Sequence, residues 1–406
     1  MRIYLYPILW VGLNSFNILY AKNACDWKTW KDLGKAITET SPEIEVLKGE
    51  ESYRNSLTNS ASLLPPAVVA GQYTVGDLPW KSSTLEASYL WTLENKDKRE
   101  ARFGAARAGA DSIRYEIEDR KAKQLLEVAL VQQALRRIEL RRDVLIETQS
   151  TYRKIIKQYE SRLSLGPEQE ASLAVYRIAK KENDLKIESL EVEKSPYVYQ
   201  LASMTGCTEV KLPNSTPSAY SNLTFQEKSD EVSSAVRRLE AQSKSLQLSF
   251  QSEIHSLAPD LSIGPVLIAS KNSEKNKLEV GVAASMPIGA QRTSVLSASK
   301  TSEYKVRQSE IDLKISRIKI EKEAWMDQYR KSIKAMKGGL SKEEITKTHR
   351  KLEALFQGER VSAALVIEAH RQLLEHITSF ANLESKSTEA LWNIRYLDGK
   401  LDWSDL

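Results

Sequence analysis

Two short stretches, residues 84–93 and 277–286, alternate apolar residues with small or polar ones. The apolar positions are Leu85, Ala87, Tyr89, Trp91 and Leu93 in the first stretch, and Leu278, Val280, Val282, Ala284 and Met286 in the second. This alternation predicts β-strands that each have one apolar face. A partner strand is predicted just before each, over about 67–75 and 261–269, so the pattern predicts two hairpins.

Long proline-free stretches follow the two hairpins, and their apolar residues recur with a different period. After Arg99, apolar residues recur at steps of three, four and seven, which predicts a long helix with a coiled-coil seam. The seam positions are Val131, Leu135, Ile138, Leu145, Tyr152, Ile156, Tyr159 and Leu163. The predicted helices cover about 97–165, 167–204, 291–356 and 359–397. Gly338 and Gly339 fall inside the third of these, and adjacent glycines predict a kink or a break there.

The order of helix, two strands, long helix and shorter helix occurs twice. Five pairs of landmarks keep one spacing to within a residue: Pro66 and Pro259, Gly71 and Gly264, Arg99 and Arg292, Gly166 and Gly358, and Gly206 and Gly399. One such coincidence is common, whereas five in the same order indicate a duplicated unit. We therefore predict a first repeat over 22–206, a linking segment over 207–224 and a second repeat over 225–406.

The amino terminus predicts export. Residues 1–21 combine a basic Arg2, a short apolar stretch and a small residue at Ala21, which is typical of a cleaved signal peptide. The chain has two cysteines, Cys25 and Cys207, and an exported protein could join them in one disulfide. Two unpaired thiols are the alternative. Lipid attachment at Cys25 is disfavoured because Lys22 stands where an apolar residue is wanted.

The composition and the motifs argue against several classes of function. Charged residues make up 28% of the chain, yet the 59 basic and 54 acidic side chains are interleaved, which suits solvated helices better than a nucleic-acid surface. The four histidines form no HExxH motif and no cluster with cysteine, so no metal site and no cofactor is predicted. No catalytic triad or phosphate loop is present, and we do not expect an enzyme.

The chain resembles the TolC-like outer-membrane efflux proteins of Gram-negative bacteria. The resemblance rests on the duplicated order of elements together with two junction sequences, WTLENKDKREARFGAARA and SMPIGAQRTSVLSASK. The first junction is most similar to the heavy-metal branch of the resistance, nodulation and division (RND) exporters. In both, a strand ends and a helix rich in small residues begins.

The resemblance implies a mainly α fold with a small β part, assembled as a homotrimer in the outer membrane. Its 12-stranded barrel among the outer-membrane lipids would continue into a 12-helix periplasmic tunnel. Such a tunnel is passive, and its helical tips dock onto a periplasmic adaptor (membrane fusion) protein. That adaptor connects it to an inner-membrane exporter, here of the RND type.

The resemblance also assigns residues at the helical tips. Gly166 and Gly358 correspond to the family's tip glycines, for which a left-handed or tight turn is expected, and Leu165 and Gln357 lie beside them as adaptor contacts. Arg360 matches a basic latch residue of some members, and Glu368 resembles an acidic residue that narrows the closed tunnel, so both are candidate gate residues. By the same analogy, Cys25 and Cys207 would lie in the mid-tunnel region, where a disulfide is sensible.

Three other interpretations compete with the efflux channel. The same fold could serve type I protein secretion, which the tunnel sequence does not distinguish from efflux of small molecules or metal ions. A periplasmic adaptor would require a lipoyl-like domain that the chain lacks. A coiled-coil scaffold would explain the helices but neither the strands nor the duplication.

Overall fold

A computed structural model describes residues 25–76, 82–162, 164–213, 232–257, 260–271, 275–286, 290–338, 347–348, 351, 354 and 362–402. Most of these residues are helical and a smaller part forms strands. The predicted fold class, mainly α with a small β part, is confirmed. The predicted signal peptide lies outside the described residues.

The elements follow each other in a simple order. The strands are β1 (Cys25–Asp26), β2 (Val68–Gly76), β3 (Ser82–Leu93), β4 (Val210–Lys211), β5 (Leu261–Lys271) and β6 (Asn276–Ser285). The helices are α1 (Trp30–Thr40), α2 (Pro42–Ala61), α3 (Lys96–Glu160), α4 (Pro167–Thr205), α5 (Ser234–Ser256), α6 (Ala290–Lys337) and α7 (Ala363–Leu397).

The chain divides into two compact units. Leu47–Ile117 and Val236–Ile315 form one unit, called here the strand unit because it holds the four long strands. Tyr20–Val46, Glu118–Ala235 and Ser316–Leu406 belong to the other, the helical unit. Each unit therefore takes residues from both halves of the sequence.

The strand unit contains an antiparallel sheet in the order β2-β3-β5-β6. The two hairpins meet through β3 and β5, whose pairing runs from Ser83 opposite Lys271 to Leu93 opposite Leu261. Within the described residues β2 pairs only with β3, and β6 pairs only with β5. Two strand edges of this sheet therefore have peptide groups without a strand partner.

The core of the helical unit lies along the predicted seam of α3. Val131, Leu135, Ile138, Leu145 and Tyr152 are all buried, as the period of three and four predicts. One cluster joins Ile138 and Leu145 to Leu190 of α4, and a second joins Tyr152 to Tyr176 of α4 and Val366 of α7. The last seam position, Leu163, lies outside the described residues.

Two helices end earlier than the sequence predicts. α3 ends at Glu160 instead of residue 165. Just after it, the Arg162 amide donates to the Tyr159 carbonyl at 3.2 Å, three residues back instead of the four of an α-helix. The helix predicted over 291–356 is not continuous, since α6 ends at Lys337 and Gly338 forms a turn. Gly338 opens the glycine pair at which a break is expected.

Candidate functional site

The four-stranded sheet exposes a large apolar face. Along β3 the predicted apolar positions are exposed while the residues between them are half-buried. Large apolar side chains on β2, β3, β5 and β6 contribute to the exposed surface: Val69, Tyr73, Leu85, Tyr89, Trp91, Leu267, Leu278, Val280 and Val282. Val280 and Val282 each keep 76% of their surface exposed. A patch of this size on a folded unit marks a surface that something apolar covers.

Charged residues fasten the start of α3 to the end of β3. The guanidinium of Arg102 donates to both carboxylate oxygens of Glu94, at 2.6 and 3.1 Å, and also to the carbonyls of Ala61 and Leu63 at 3.2 and 2.9 Å. The Glu94 side chain is only 1% exposed. One arginine thus joins the C-terminal end of α2, the end of β3 and the first turns of α3.

A second ion pair reinforces the same junction. Lys98, also in the first turns of α3, pairs with Asp260 just before β5, and both side chains are largely buried. The strand-to-helix junction is therefore tied to both hairpins. In the sequence this region is recognisable only as a family signature, because pairing between residues as distant as Lys98 and Asp260 leaves no periodic signal.

A disulfide joins Cys25 to Cys207 in the helical unit, across 182 residues of sequence. It lies beside the short parallel pairing of β1 with β4. The surrounding core includes Trp30 and Leu33 of α1 and Trp392 of α7. This cluster holds α1 against the C-terminal ends of α4 and α7, so the disulfide secures the described amino-terminal segment to the core.

We expect the Cys25→Ser/Cys207→Ser variant to lose about 2–4 kcal/mol of stability, because the disulfide closes a long loop in the unfolded chain. Urea unfolding followed by tryptophan fluorescence measures this, since Trp30 and Trp392 are buried in the affected core. Wild-type protein kept in dithiothreitol should unfold at the same urea concentration as the variant. Equal midpoints for oxidised wild type and the variant would contradict a stabilising role.

The expectation for Gly166, between α3 and α4, is a left-handed or tight turn. Gly166 is extended, with φ −72° and ψ 162°, and is not left-handed. It acts as the N-cap of α4, where extended backbone is usual, and its carbonyl accepts from the Gln169 amide at 2.9 Å. The following Pro167 also disfavours helical backbone at Gly166.

Left-handed backbone occurs instead at Gly206 and Gly399, with φ 69° and 68°. Each follows the C-terminal end of a helix, α4 and α7 respectively. A Cβ on Gly399 would lie 3.2 Å from the Val232 carbonyl, and positive φ already disfavours other residues at both sites. These two glycines were one of the five landmark pairs in the sequence.

The predicted tip contacts are only partly described. Leu165 is half-buried and Gly166 is exposed in the α3–α4 turn. Gln357, Gly358 and the candidate gate residue Arg360 lie outside the described residues. Their roles therefore stay predictions.

Glu368 belongs to a charge cluster on its own helix. Arg371 donates to both of its carboxylate oxygens, at 2.9 and 2.7 Å, and Gln372 donates at 2.9 Å. These hydrogen bonds, that from Arg371 first, lower the pKa of Glu368 to about 2. Within the described residues the Glu368 carboxylate is thus paired with a cation on its own helix.

An aromatic cluster near the tip was not recognised in the sequence as a unit. The rings of Tyr152 and Tyr176 lie 5.8 Å apart, and His370 lies 5.5 Å from Tyr152. Burial raises the pKa of Tyr152 to about 12, so its hydroxyl stays neutral. Tyr152 appeared in the sequence only as a seam position of α3. Tyr176 comes from α4 and His370 from α7, so both could be placed beside it only by the fold.

Among the described residues, no group of three or more His, Cys, Asp or Glu side chains could hold a metal ion. None of the described helices is long and apolar enough to span a membrane.

No protein-family model and no curated protein sequence matches the chain. Solved structures do match over nearly its whole length. The outer-membrane channel OprN has a TM-score of 0.72 at 12% identity, covering 92% of this chain and 90% of that one. The chain has the fold of an outer-membrane channel.

Two further structures share this channel fold. CusC, described through its folding and transmembrane channel formation, has a TM-score of 0.67 at 14% identity, with 91% of this chain and 92% of that chain covered. The outer membrane protein VceC from Vibrio cholerae has a TM-score of 0.68 at 12% identity, with 91% and 96% covered. Identities this low establish the channel fold and not the cargo.

Proposed function

We propose that the chain is the outer-membrane channel-tunnel of a tripartite efflux system. The observation that carries the proposal is the sheet, which combines an exposed apolar face with two free edges. A free strand edge in lipid leaves peptide groups unsatisfied, so a membrane sheet must close on itself. Four strands are too few for closure, whereas three copies supply twelve.

The strands fit this role in length and in pattern. Strands of about nine to eleven residues cross a bilayer when tilted, and the four long strands have 9 to 12. In β6, Leu278, Val280, Val282 and Ala284 would face lipid, while Glu279 and Gly281 would face the lumen. The long helices would then form the periplasmic tunnel.

The channel would work passively between partners. The helical tips, including Leu165 and Gly166, would dock onto a periplasmic adaptor, and an inner-membrane exporter of the RND type would supply the energy. Structures of channel proteins with the same fold support this role. By the family resemblance, Glu368 and Arg360 are candidates for the constriction inside the tunnel.

The direct test is to express the full chain with its leader in a Gram-negative host and purify it from the outer membrane. Light scattering should give three copies per particle, and planar bilayers should show ion conductance. Monomeric protein or the absence of conductance would overturn the proposal. Restored resistance to small toxic compounds in a channel-deletion strain would favour efflux over type I protein secretion, which would instead restore export of a protein.

Val280→Lys should prevent outer-membrane assembly, because a lysine on the lipid face near the membrane centre costs about 2–4 kcal/mol. The matched control is Glu279→Lys, one residue earlier and on the opposite face of β6. It should assemble normally and shift the ion selectivity of the channel toward anions. Membrane fractionation and reversal-potential measurements check both results, and equal assembly of the two variants would contradict the assigned faces.

A further inference from the structure

A cavity of about 460 Å³ lies between four helices of the strand unit, α2, α3, α5 and α6. All of its lining residues belong to this unit. On each helix they recur three or four residues apart, so each helix contributes one face. On α3, for example, the lining residues are Gly109, Ser112, Ile113 and Glu116. A cavity of this volume can hold a small organic molecule.

The charges around this cavity do not balance. Among the described residues, four carboxylates and three cations line it. Each cation pairs with a carboxylate that also lines the cavity: Arg54 with Glu50 at 3.2 Å, Lys300 with Glu253 and Glu303 at 3.0 and 3.2 Å, and Arg307 with Glu303 at 2.6 Å. Glu116 is the fourth carboxylate, and it has no ion-pair partner within the part of the chain that the structure describes. The unbalanced charge is thus negative, and the cavity favours a cation.

Hydroxyl groups that line the cavity also lack partners. Ser112 is only 7% exposed, yet its hydroxyl has no hydrogen-bond partner among the described residues. The hydroxyls of Ser245 and Ser249, which line the cavity from α5, have none in the same part of the chain. Buried polar groups are almost always hydrogen-bonded. The serines therefore indicate an occupant that exchanges hydrogen bonds with them.

The helices α3 and α5 run antiparallel along the cavity. A Cβ on Gly104 would lie 3.6 Å from the Leu248 side chain, and one on Gly109 would lie 3.7 Å from the Ser245 hydroxyl. Residue numbers therefore rise on α3 as they fall on α5. Glu116 comes seven residues after Gly109, so it lies about 10 Å further along, toward the amino-terminal end of α5.

The opposite end of the cavity is aromatic. The rings of Phe250 and Tyr304 are stacked, with centroids 4.9 Å apart and an angle of 20° between their planes. Phe250 follows Ser245 by five residues on α5, on the side away from Glu116, which separates the levels of Phe250 and Glu116 by about 18 Å. Helical side chains lean toward the amino terminus of their own helix, so these two lean toward each other and leave roughly 10 Å between them.

We propose that this cavity binds an organic monocation with a primary ammonium group at one end and an aromatic ring at the other. The ammonium has three N–H donors, and it donates to the Glu116 carboxylate and to the Ser112 hydroxyl one helical turn away. The ring lies against the stacked pair of Phe250 and Tyr304, where aromatic groups pack favourably. The site lies within one chain and does not depend on the proposed channel function.

Isothermal titration calorimetry of the purified full chain in a non-ionic detergent tests the site, with protein-free micelles as the blank. The probe is 4-phenylbutylammonium, in which four methylene groups separate the ammonium from the ring. We expect saturable binding of one probe per chain. The compounds 4-phenylbutanol and 4-phenylbutyrate have the same ring and a similar chain but a neutral and a negative end. Each should bind at least tenfold more weakly, because the hydrogen bond between two charged groups is lost.

Glu116→Gln removes the negative charge and retains the shape of the side chain, so it should weaken binding of 4-phenylbutylammonium about tenfold. The matched control is Glu118→Gln, which makes the same chemical change at an exposed position two residues later. Residues two apart point to nearly opposite sides of a helix, so this variant should bind like wild type. Circular dichroism should give the same helix content for both variants.

Three results would overturn the proposed site. They are heats no greater than those of the blank, equal affinities for the three compounds, and equal affinities of Glu116→Gln and wild type for the ammonium probe. Each of these leaves trimer formation and conductance, and therefore the proposed function, unaffected. Conversely, a chain that binds the probe but forms neither trimers nor channels would keep this site and lose the proposed function.

Discussion

The Arg102→Met variant is expected to lose about 3–5 kcal/mol of stability in the strand unit. The substitution leaves the Glu94 carboxylate, only 1% exposed, without its cationic partner, and an uncompensated buried charge has a cost of this size. It also removes the donors to the carbonyls of Ala61 and Leu63. Thermal unfolding in detergent, followed by circular dichroism, measures the loss.

The cause can be separated from simple loss of contacts by a second variant. Glu94→Gln/Arg102→Met removes the buried charge together with its partner, and should recover a substantial part of the loss. The surface control is Lys96→Met on the same helix. Its partner Glu100 is 64% exposed, so the change should cost at most about 1 kcal/mol. Equal losses for Arg102→Met and Lys96→Met would contradict the proposed role of the junction.

This junction illustrates what sequence reasoning could reach. The position of the strand-to-helix junction followed from the change of apolar period after Leu93. The partner of Arg102 did not, because Glu94, Ala61 and Leu63 become neighbours only when α2, β3 and α3 come together. Charged residues are frequent throughout this chain, so none of these could be singled out by type.

The two cysteines and Gly166 show two further ways in which the sequence limits the structure. With only two cysteines, an exported chain has one intramolecular pairing available, and the structure contains the disulfide between Cys25 and Cys207. At Gly166 the family analogy suggested a left-handed or tight turn, and the local sequence decides against the left-handed form. Pro167 is the first helical residue and favours extended backbone at the N-cap before it. That local preference is seen in the observed turn.

The glycine landmarks carry different physical constraints, although they recur at one spacing. Gly206 and Gly399 share the same left-handed backbone, which is a direct reason for glycine at both positions. Gly71 and Gly264 share only their place in a strand. A Cβ on Gly71 would make an ordinary contact, 3.8 Å from the Glu86 carbonyl oxygen, whereas one on Gly264 would lie 1.8 Å from the Tyr89 carbonyl oxygen.

The close approach at Gly264 arises where the two hairpins meet. The pairing of β3 with β5 matches Ser88 with Val266 and Trp91 with Ile263, and the residues between them are skipped. Pro265 has no amide hydrogen to donate to the ladder, so the pairing is interrupted at this point. Here the β3 backbone lies against the unsubstituted Cα of Gly264.

Gly264→Ala is therefore expected to separate β3 from β5 locally, because the obstacle is backbone and cannot rotate away. Overpacking against movable side chains costs about 1–3 kcal/mol, and we expect this change to reach or exceed the upper end of that range. The measurement is the amount of assembled trimer in outer membranes, from gels run without boiling. Gly71→Ala, at the equivalent place in the first hairpin, and Gly281→Ala, with nothing within 4 Å, should both assemble like wild type. If all three variants assemble equally, the two hairpins are not joined through a close contact at Gly264, and the join between the two halves of the sheet must tolerate a side chain there.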